Sequence, residues 1–201
     1  TDYNSNTLQQ FDSIFRYSKL TKIIDETDPS ILSNITTVKI RKSFAPTILA
    51  SNAYNIYFRN ALYNPHSGHN SMAGGILSST GFKIDGNDNE CFLDDDGAGK
   101  VRLYYLVSGV KTYLNNEQGT IDYNSGQVTL NSLNIASISN IRGAASTIIE
   151  LTVVPSSNDV IPVRDQIIDI DVANSSITVE ADTFIGGSSE AGIGYTSSSS
   201  Y

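Results

Sequence analysis

From Gly81 onward the sequence is a succession of short apolar or alternating runs, each closed by residues that turn a chain: Asp94-Asp95-Asp96-Gly97, Ser108-Gly109 and Asn124-Ser125-Gly126. Gly and Asn tolerate the positive φ that tight hairpin turns demand, so this rhythm restricts the fold to antiparallel strands joined in sequence order. The run after the first turn predicts a strand with Val101, Leu103 and Tyr105 on one face and Arg102 and Tyr104 on the other. Residues 148–154, 163–170 and 176–180 read as further strands. Upstream, the period of two already starts at Thr36, with Val38 and Ile40, and returns with Tyr54, Ile56 and Phe58.

The N-terminal part has a different period. Thr7 and Gln10 have the spacing of a capping box, and Leu8, Phe11, Ile14 and Phe15 then recur at helical intervals. Leu20, Ile23 and Ile24 continue the pattern until Asp28-Pro29, which offers a stop and a fresh N-cap with Pro in the first helical position. Residues 64–75, rich in Gly, Asn and Ser with Pro65, His66 and His69, have no period and read as a loop joining two units. We therefore expect an α+β chain in three parts. Residues 1–75 form a helical lead with a β segment, residues 76–185 a mainly antiparallel β domain, and residues 186–201 a Gly/Ser-rich tail.

Composition excludes several function classes. The 201 residues carry 13 Lys plus Arg against 21 Asp plus Glu, a formal charge of −8, with no basic run longer than Arg41-Lys42. Phosphate-backbone binding and polybasic membrane attachment both need clustered cations, so neither nucleic acid nor a membrane is an expected partner. No apolar run approaches the roughly 18 residues of a membrane span, and no signal peptide is evident. One Cys excludes an internal disulfide, and one Cys with two His cannot close a structural zinc site. The chain begins at Thr1, from which we expect a piece of something longer.

Each apparent chemical motif has a plainer reading that we prefer. Asp94-Asp95-Asp96-Gly97 invites calcium, but EF-hand spacing fails, with Ala98 and Tyr105 at positions that need oxygen ligands. A solvated hairpin tip accounts for the same residues. Gly97-Ala98-Gly99-Lys100 is followed by Val101 where a phosphate loop needs Ser or Thr. His66 and His69 lack a third metal ligand and are expected to bond backbone groups. Cys91 with either His could be a nucleophile and base, yet its neighbours Phe92 and Leu93 continue a strand, so we expect a packed thiol. The 11 Tyr and absent Trp raise a carbohydrate-binding module, but Tyr54, Tyr57, Tyr104, Tyr105 and Tyr113 lie within strand patterns, where aromatic rings pack across strands. Asn34-Ile35-Thr36 and Asn174-Ser175-Ser176 match glycosylation sequons that carry little weight without a secretory signal.

A family resemblance appears at Asn-Ala-Leu-Tyr-Asn-Pro-His-Ser-Gly-His (residues 60–69). It continues through Thr80-Gly81-Phe82-Lys83-Ile84, residues 93–107, Gly-Thr-Ile-Asp-Tyr-Asn-Ser-Gly-Gln-Val-Thr-Leu (119–130) and residues 158–171. From about Phe11 onward the chain resembles the C-terminal part of the large baseplate wedge subunit of T-even-type contractile-tailed phages, related to the baseplate J proteins. That resemblance implies a structural virion protein of the tail baseplate, assembled in the host cytoplasm. It would self-associate, as a homodimer or through ring contacts, and link other wedge proteins into the ring. It implies no enzymatic residue, cofactor or metal. Family members are much longer, so contacts made by their N-terminal portion are not assigned to this chain.

The runner-up expectation is a β-rich calcium- or carbohydrate-binding adhesion module using the Asp94–Asp96 turn and exposed Tyr. The tail completes the reading. Residues 186–201 have the composition of a flexible linker that cannot bury enough apolar area to offset an ordering cost of about 1–2 kcal/mol per residue. Ile193, Tyr195 and Tyr201 are therefore our candidates for anchoring on a neighbouring chain, with packing back onto their own domain an equal alternative.

Overall fold

The computed structural model describes residues 3–66, 68–73, 75–162 and 167–180. The chain divides into two compact units, Thr1–Asp169 and Ile170–Tyr201. Among the described residues, no helix is long and apolar enough to cross a membrane.

Among the described residues of the first unit, nine strands form one antiparallel sheet. They are β1 Ile40–Phe44, β2 Ser51–Tyr57, β3 Ser78–Ser79, β4 Phe82–Ile84, β5 Cys91–Asp95, β6 Lys100–Val107, β7 Val110–Asp122, β8 Gln127–Ile138 and β9 Ile149–Val153. Pairing runs β5–β6, β6–β7, β7–β8, β8–β4 and β4–β5, which closes a five-stranded barrel. Closure removes the open edges that a flat sheet would present. The seam is short: β4 meets β5 through the pair Phe82 and Cys91, both fully buried. β2 flanks β8, while β3, β9 and β1 extend from β5. β8 is long enough to serve two neighbours in turn, β7 along Gln127–Leu130 and β4 along Ile135–Ile138.

Alternation explains the core. Cys91 and Leu93 on β5, Val101 and Leu103 on β6, Ile121 on β7, and Val128, Leu130 and Ile135 on β8 all point inward and are buried. Each such aliphatic side chain contributes about 1.5–3 kcal/mol on leaving water. The predicted faces of β6 are the observed ones, and the turn at Ser108-Gly109 has the positive φ values, 51° and 82°, of a two-residue hairpin. The mostly antiparallel β character expected from sequence is observed. Barrel closure was not part of that expectation.

Several elements differ from the sequence reading. The lead is not one helix: a π-helical turn, Asn4–Leu8, is followed by a reversal at Asp12, whose φ is 59°, and only then by α1, Tyr17–Asp25. Leu8 and Phe15 are buried, whereas Phe11 is 78% exposed, so the helical spacing does not define one face. The capping box does not form; Gln10 Nε2 donates to the Asn6 carbonyl at 2.9 Å. At Asp28 the carboxylate accepts the Ser30 N–H at 2.8 Å, an Asx turn with no helix after it. The β1 ladder begins at Ile40, not Thr36, because its partner β9 ends at Val153 and the chain soon reaches Pro155, which bridges Leu62 instead.

Residues 64–75 contain a five-residue helix, α2 His69–Ala73, and strands on both sides of them join the one sheet. In the second unit, the described residues contain a 3-10 turn, Val172–Asn174, in which Asp171 accepts the Asn174 N–H at 3.3 Å. Residues 167–170 and 176–180 are not strands; Ile177 and Val179 are 89% exposed and have no ladder partner among the described residues. Residues 163–166 lie outside the described part.

Candidate assembly surface

Two neighbouring carboxylates go to opposite faces of β5. Asp95 points inward and is fully buried, where its Oδ1 accepts the N–H groups of Ile76 at 2.6 Å and Leu77 at 2.8 Å. Its Oδ2 accepts the Tyr123 hydroxyl at 2.6 Å. Burial, reinforced by that hydrogen bond and by the Asp95 charge, pushes the Tyr123 phenol far above its ordinary pKa.

Asp94 points outward yet is only 3% exposed, because β6 and β7 supply partners across the sheet. Arg102 grips it through Nε and Nη2, both at 3.0 Å. Lys111 Nζ reaches Oδ2 at 2.7 Å, and the Tyr113 hydroxyl donates to the same oxygen at 3.0 Å. Phe92, Tyr104 and Tyr113 form a row across the three strands, with centroids 5.7 and 5.8 Å apart. The Arg102 guanidinium lies 4.3 Å from the Tyr113 ring centroid and the Lys111 ammonium 4.5 Å from that of Tyr104. Burial opposes the Lys111 charge, but its hydrogen bond and attraction to Asp94 outweigh it and raise the pKa. Burial and then the Asp94 charge raise that of Tyr113.

The expectation of a solvated Asp tip is thus corrected. Asp96 holds the turn, its Oδ1 accepting the N–H groups of Ala98 at 2.8 Å and Lys100 at 2.9 Å, while Asp94 and Asp95 are buried strand residues. Two adjacent Asp inside a strand, with Arg102 opposite in register, were the signal that could have revealed this.

Beyond this cluster the β6–β7 hairpin outruns the barrel. β8 pairs with β7 only over Gly119–Asp122, so Val110–Asn115 are laddered on the β6 side alone among the described residues. Gln118 and Asn131 fill the fork where the strands part. The Gln118 amide lies 3.4 Å from the carbonyls of both Asn131 and Ser132, and Asn131 Nδ2 donates to the Glu117 carbonyl at 3.1 Å. An open cleft of about 320 Å³ lies beside the fork, lined by Leu103, Leu114, Gln118, Leu133 and Asn134 among others. Leu106, Val107, Val110, Tyr113 and Leu114 on this hairpin are all exposed.

The remaining candidates are placed as follows. Cys91 is buried on the inner face of β5, burial raises its thiol pKa, and its Sγ hydrogen bond goes to the Asn89 carbonyl at 3.5 Å, not to an imidazole. His66 and His69 face each other, His69 Nδ1 lying 3.1 Å from His66 Nε2. Of the strand Tyr residues, Tyr104 and Tyr113 pack across strands as expected and Tyr54 packs on Phe44 at 4.9 Å, Tyr105 packs against the core, and Tyr57 is exposed. Ile193, Tyr195 and Tyr201 lie outside the described residues.

The N-terminal lead is fastened by a distant segment. Phe15 and Val160 exchange backbone hydrogen bonds of 3.0 and 3.1 Å. Asp159 caps α1 in place of a local residue, its Oδ1 accepting the Tyr17 N–H at 2.8 Å and its Oδ2 pairing with Arg16 at 2.9 Å. These two donors, the Tyr17 N–H first, hold the Asp159 pKa below its ordinary value. Sequence reasoning missed Asp159, since nothing local marks a cap that acts across the chain.

This lead, with most of β1, is what comparison with known proteins identifies. Residues 1–43 match the family model described as baseplate structural protein gp6, C-terminal domain III. The match supports a structural protein of a phage baseplate, located in the virion tail. It lies N-terminal to the blocks, residues 60–171, on which the sequence resemblance rests. No curated protein matches the chain.

Proposed function

We propose that this chain is part of a baseplate wedge subunit of a contractile-tailed phage of T-even type, which self-associates and links neighbouring wedge proteins into the baseplate ring. The observation that carries the reading is the match of residues 1–43 to a baseplate gp6 domain. The role is one of contact and not of catalysis, with assembly in the host cytoplasm. The architecture suits it: a closed barrel supplies a rigid body, while β1 and the β6–β7 hairpin have edges with no ladder partner among the described residues. The adhesion-module alternative has less support, because Asp94 and Asp95, its best cation ligands, already accept hydrogen bonds from protein donors.

Light-scattering mass measurement of the chain, alone and mixed with the other wedge proteins, tests the proposal. A dimer alone and a defined larger complex in the mixture are expected. A monomer that leaves every wedge protein's mass unchanged would overturn it.

A further inference from the structure

We propose that the free edge of β7 is a docking site for an extended strand of a partner protein that alternates acidic and apolar residues, added to the barrel by antiparallel or parallel pairing. The inference deepens the assembly reading and rests on it for the partner being a protein.

The backbone geometry comes first. Ser108 and Gly109 form a two-residue turn, so Val107 and Val110 are a hydrogen-bonded pair, and Tyr105 and Thr112 are the next. The residues of the alternate, non-hydrogen-bonded pairs, Lys111 and Tyr113, must turn their N–H and C=O groups away from β6. Among the described residues no backbone partner meets them, and Gln118 and Asn131 seal the fork against β8.

Edge strands are ordinarily protected by a charge that a second strand would have to bury, most often a lysine. Here the candidate guard is Lys111, and its ammonium is folded onto Asp94 at 2.7 Å. No proline interrupts residues 110–118. The face away from Asp94 presents Val107 and Val110, with Leu114 in the neighbouring bulge, at 50%, 68% and 41% exposure. Clustered apolar side chains beside unpaired backbone groups are the features that strand addition uses, main-chain bonds giving affinity and alternate side chains giving specificity.

Charge selects the occupant. Asp94, 3% exposed, is shared by two cations, so over residues 110–116 the charge that the edge presents to an incoming strand is the Lys111 ammonium, 41% exposed, with Glu117 beyond it paired to Lys100. A second copy pairing edge to edge about Thr112 would set Lys111 of each chain against Tyr113 of the other and bring two such ammonium groups together. An acidic side chain on the incoming strand instead meets Lys111, while apolar neighbours cover Val110 and Leu114.

The test uses the full chain and two blocked seven-residue peptides, one alternating valine and glutamate, the other valine and lysine. The valine–glutamate peptide is expected to protect the Lys111 and Tyr113 amides from hydrogen exchange and to bind at least tenfold tighter than the valine–lysine peptide. Lys111→Gln should remove most of that preference. Tyr113→Pro, which deletes an outward N–H, should abolish binding while the rest of the amide spectrum stays folded, whereas Tyr113→Ala, which loses the same ring and hydroxyl on Asp94 but keeps the N–H, should still bind. Equal binding of both peptides, or protection elsewhere, would overturn the proposal. Concentration-dependent protection of the same amides without peptide would overturn it in favour of a second copy. Assembly with wedge proteins that Tyr113→Pro leaves unchanged would remove this site and keep the assembly reading. Peptide binding as expected, with no wedge protein recruited, would keep the site and remove the assembly reading.

Discussion

Replacing Asp95 by Ala should destabilise the first unit more than most single changes, because the carboxylate is the common acceptor for three buried donors. The Ile76 and Leu77 N–H groups and the Tyr123 hydroxyl all end on it, at 2.6–2.8 Å. An unsatisfied buried donor costs about 1–3 kcal/mol, so three give about 3–9 kcal/mol before relaxation. The space left by the carboxylate can admit water to one or two of them, which places the expected loss at about 3–5 kcal/mol. For a chain of this size that is a fall in Tm of about 10 °C. Asp95→Asn is the informative companion. Its carbonyl still accepts both backbone N–H groups, and the Tyr123 oxygen can accept from the new amide, so about 1 kcal/mol is expected. Urea unfolding followed by tyrosine fluorescence and far-UV circular dichroism measures both. If Asp95→Ala lies within about 1 kcal/mol of the parent with an unchanged m value, the three donors have other partners and the argument fails.

Further expectations follow from the same geometry. Since the folded-state pKa of Tyr123 is raised, the stability that it contributes is complete below about pH 10 and is lost as pH climbs through the folded value, so urea midpoints should fall above pH 10 and fall less in Tyr123→Phe. Asp159 has the opposite sign: its lowered pKa makes its contribution complete above about pH 4 and lost in acid, so proteolytic nicking within residues 9–16 should rise below pH 4, and Asp159→Ala should show the same nicking at neutral pH. A Cβ on Gly75 would lie 2.3 Å from Asp95 Oδ1 and 2.5 Å from its carbonyl oxygen, at a φ of +83°, so Gly75→Ala should cost at least about 2 kcal/mol by urea titration. The Cys91 thiol should react with a disulfide reagent only at the unfolding rate, and a fast native reaction would contradict its burial.

How far the sequence discloses this structure depends on the range of each signal. The β6 faces, the Ser108-Gly109 hairpin and the packed Cys91 follow from spacing within a few residues, and those readings agree with the structure. Barrel closure does not, because its seam is a single pair, Phe82 and Cys91, on strands too short to show a period. The same limit explains Asp94 and Asp95. Read locally, two Asp before Asp-Gly are turn residues; only the register with Arg102, Lys111 and Tyr113, set by two successive hairpins, makes one of them the centre of an ion cluster.

The N-terminal lead shows what happens when local and distant signals compete. Leu8, Phe11, Ile14 and Phe15 have helical spacing, and a continuous helix would bring them toward one face. The observed helix starts instead at Tyr17, where no neighbouring side chain caps its first N–H groups. Asp159 offers an acceptor to the Tyr17 N–H and a charge to Arg16, while Val160 offers Phe15 both a donor and an acceptor. Accepting all of these requires Phe15 to be extended, so the chain reverses at Asp12, and the apolar side chain left outside is Phe11. The helix therefore begins where a residue 142 positions away caps it, and that distance puts the decision beyond any reading of local period.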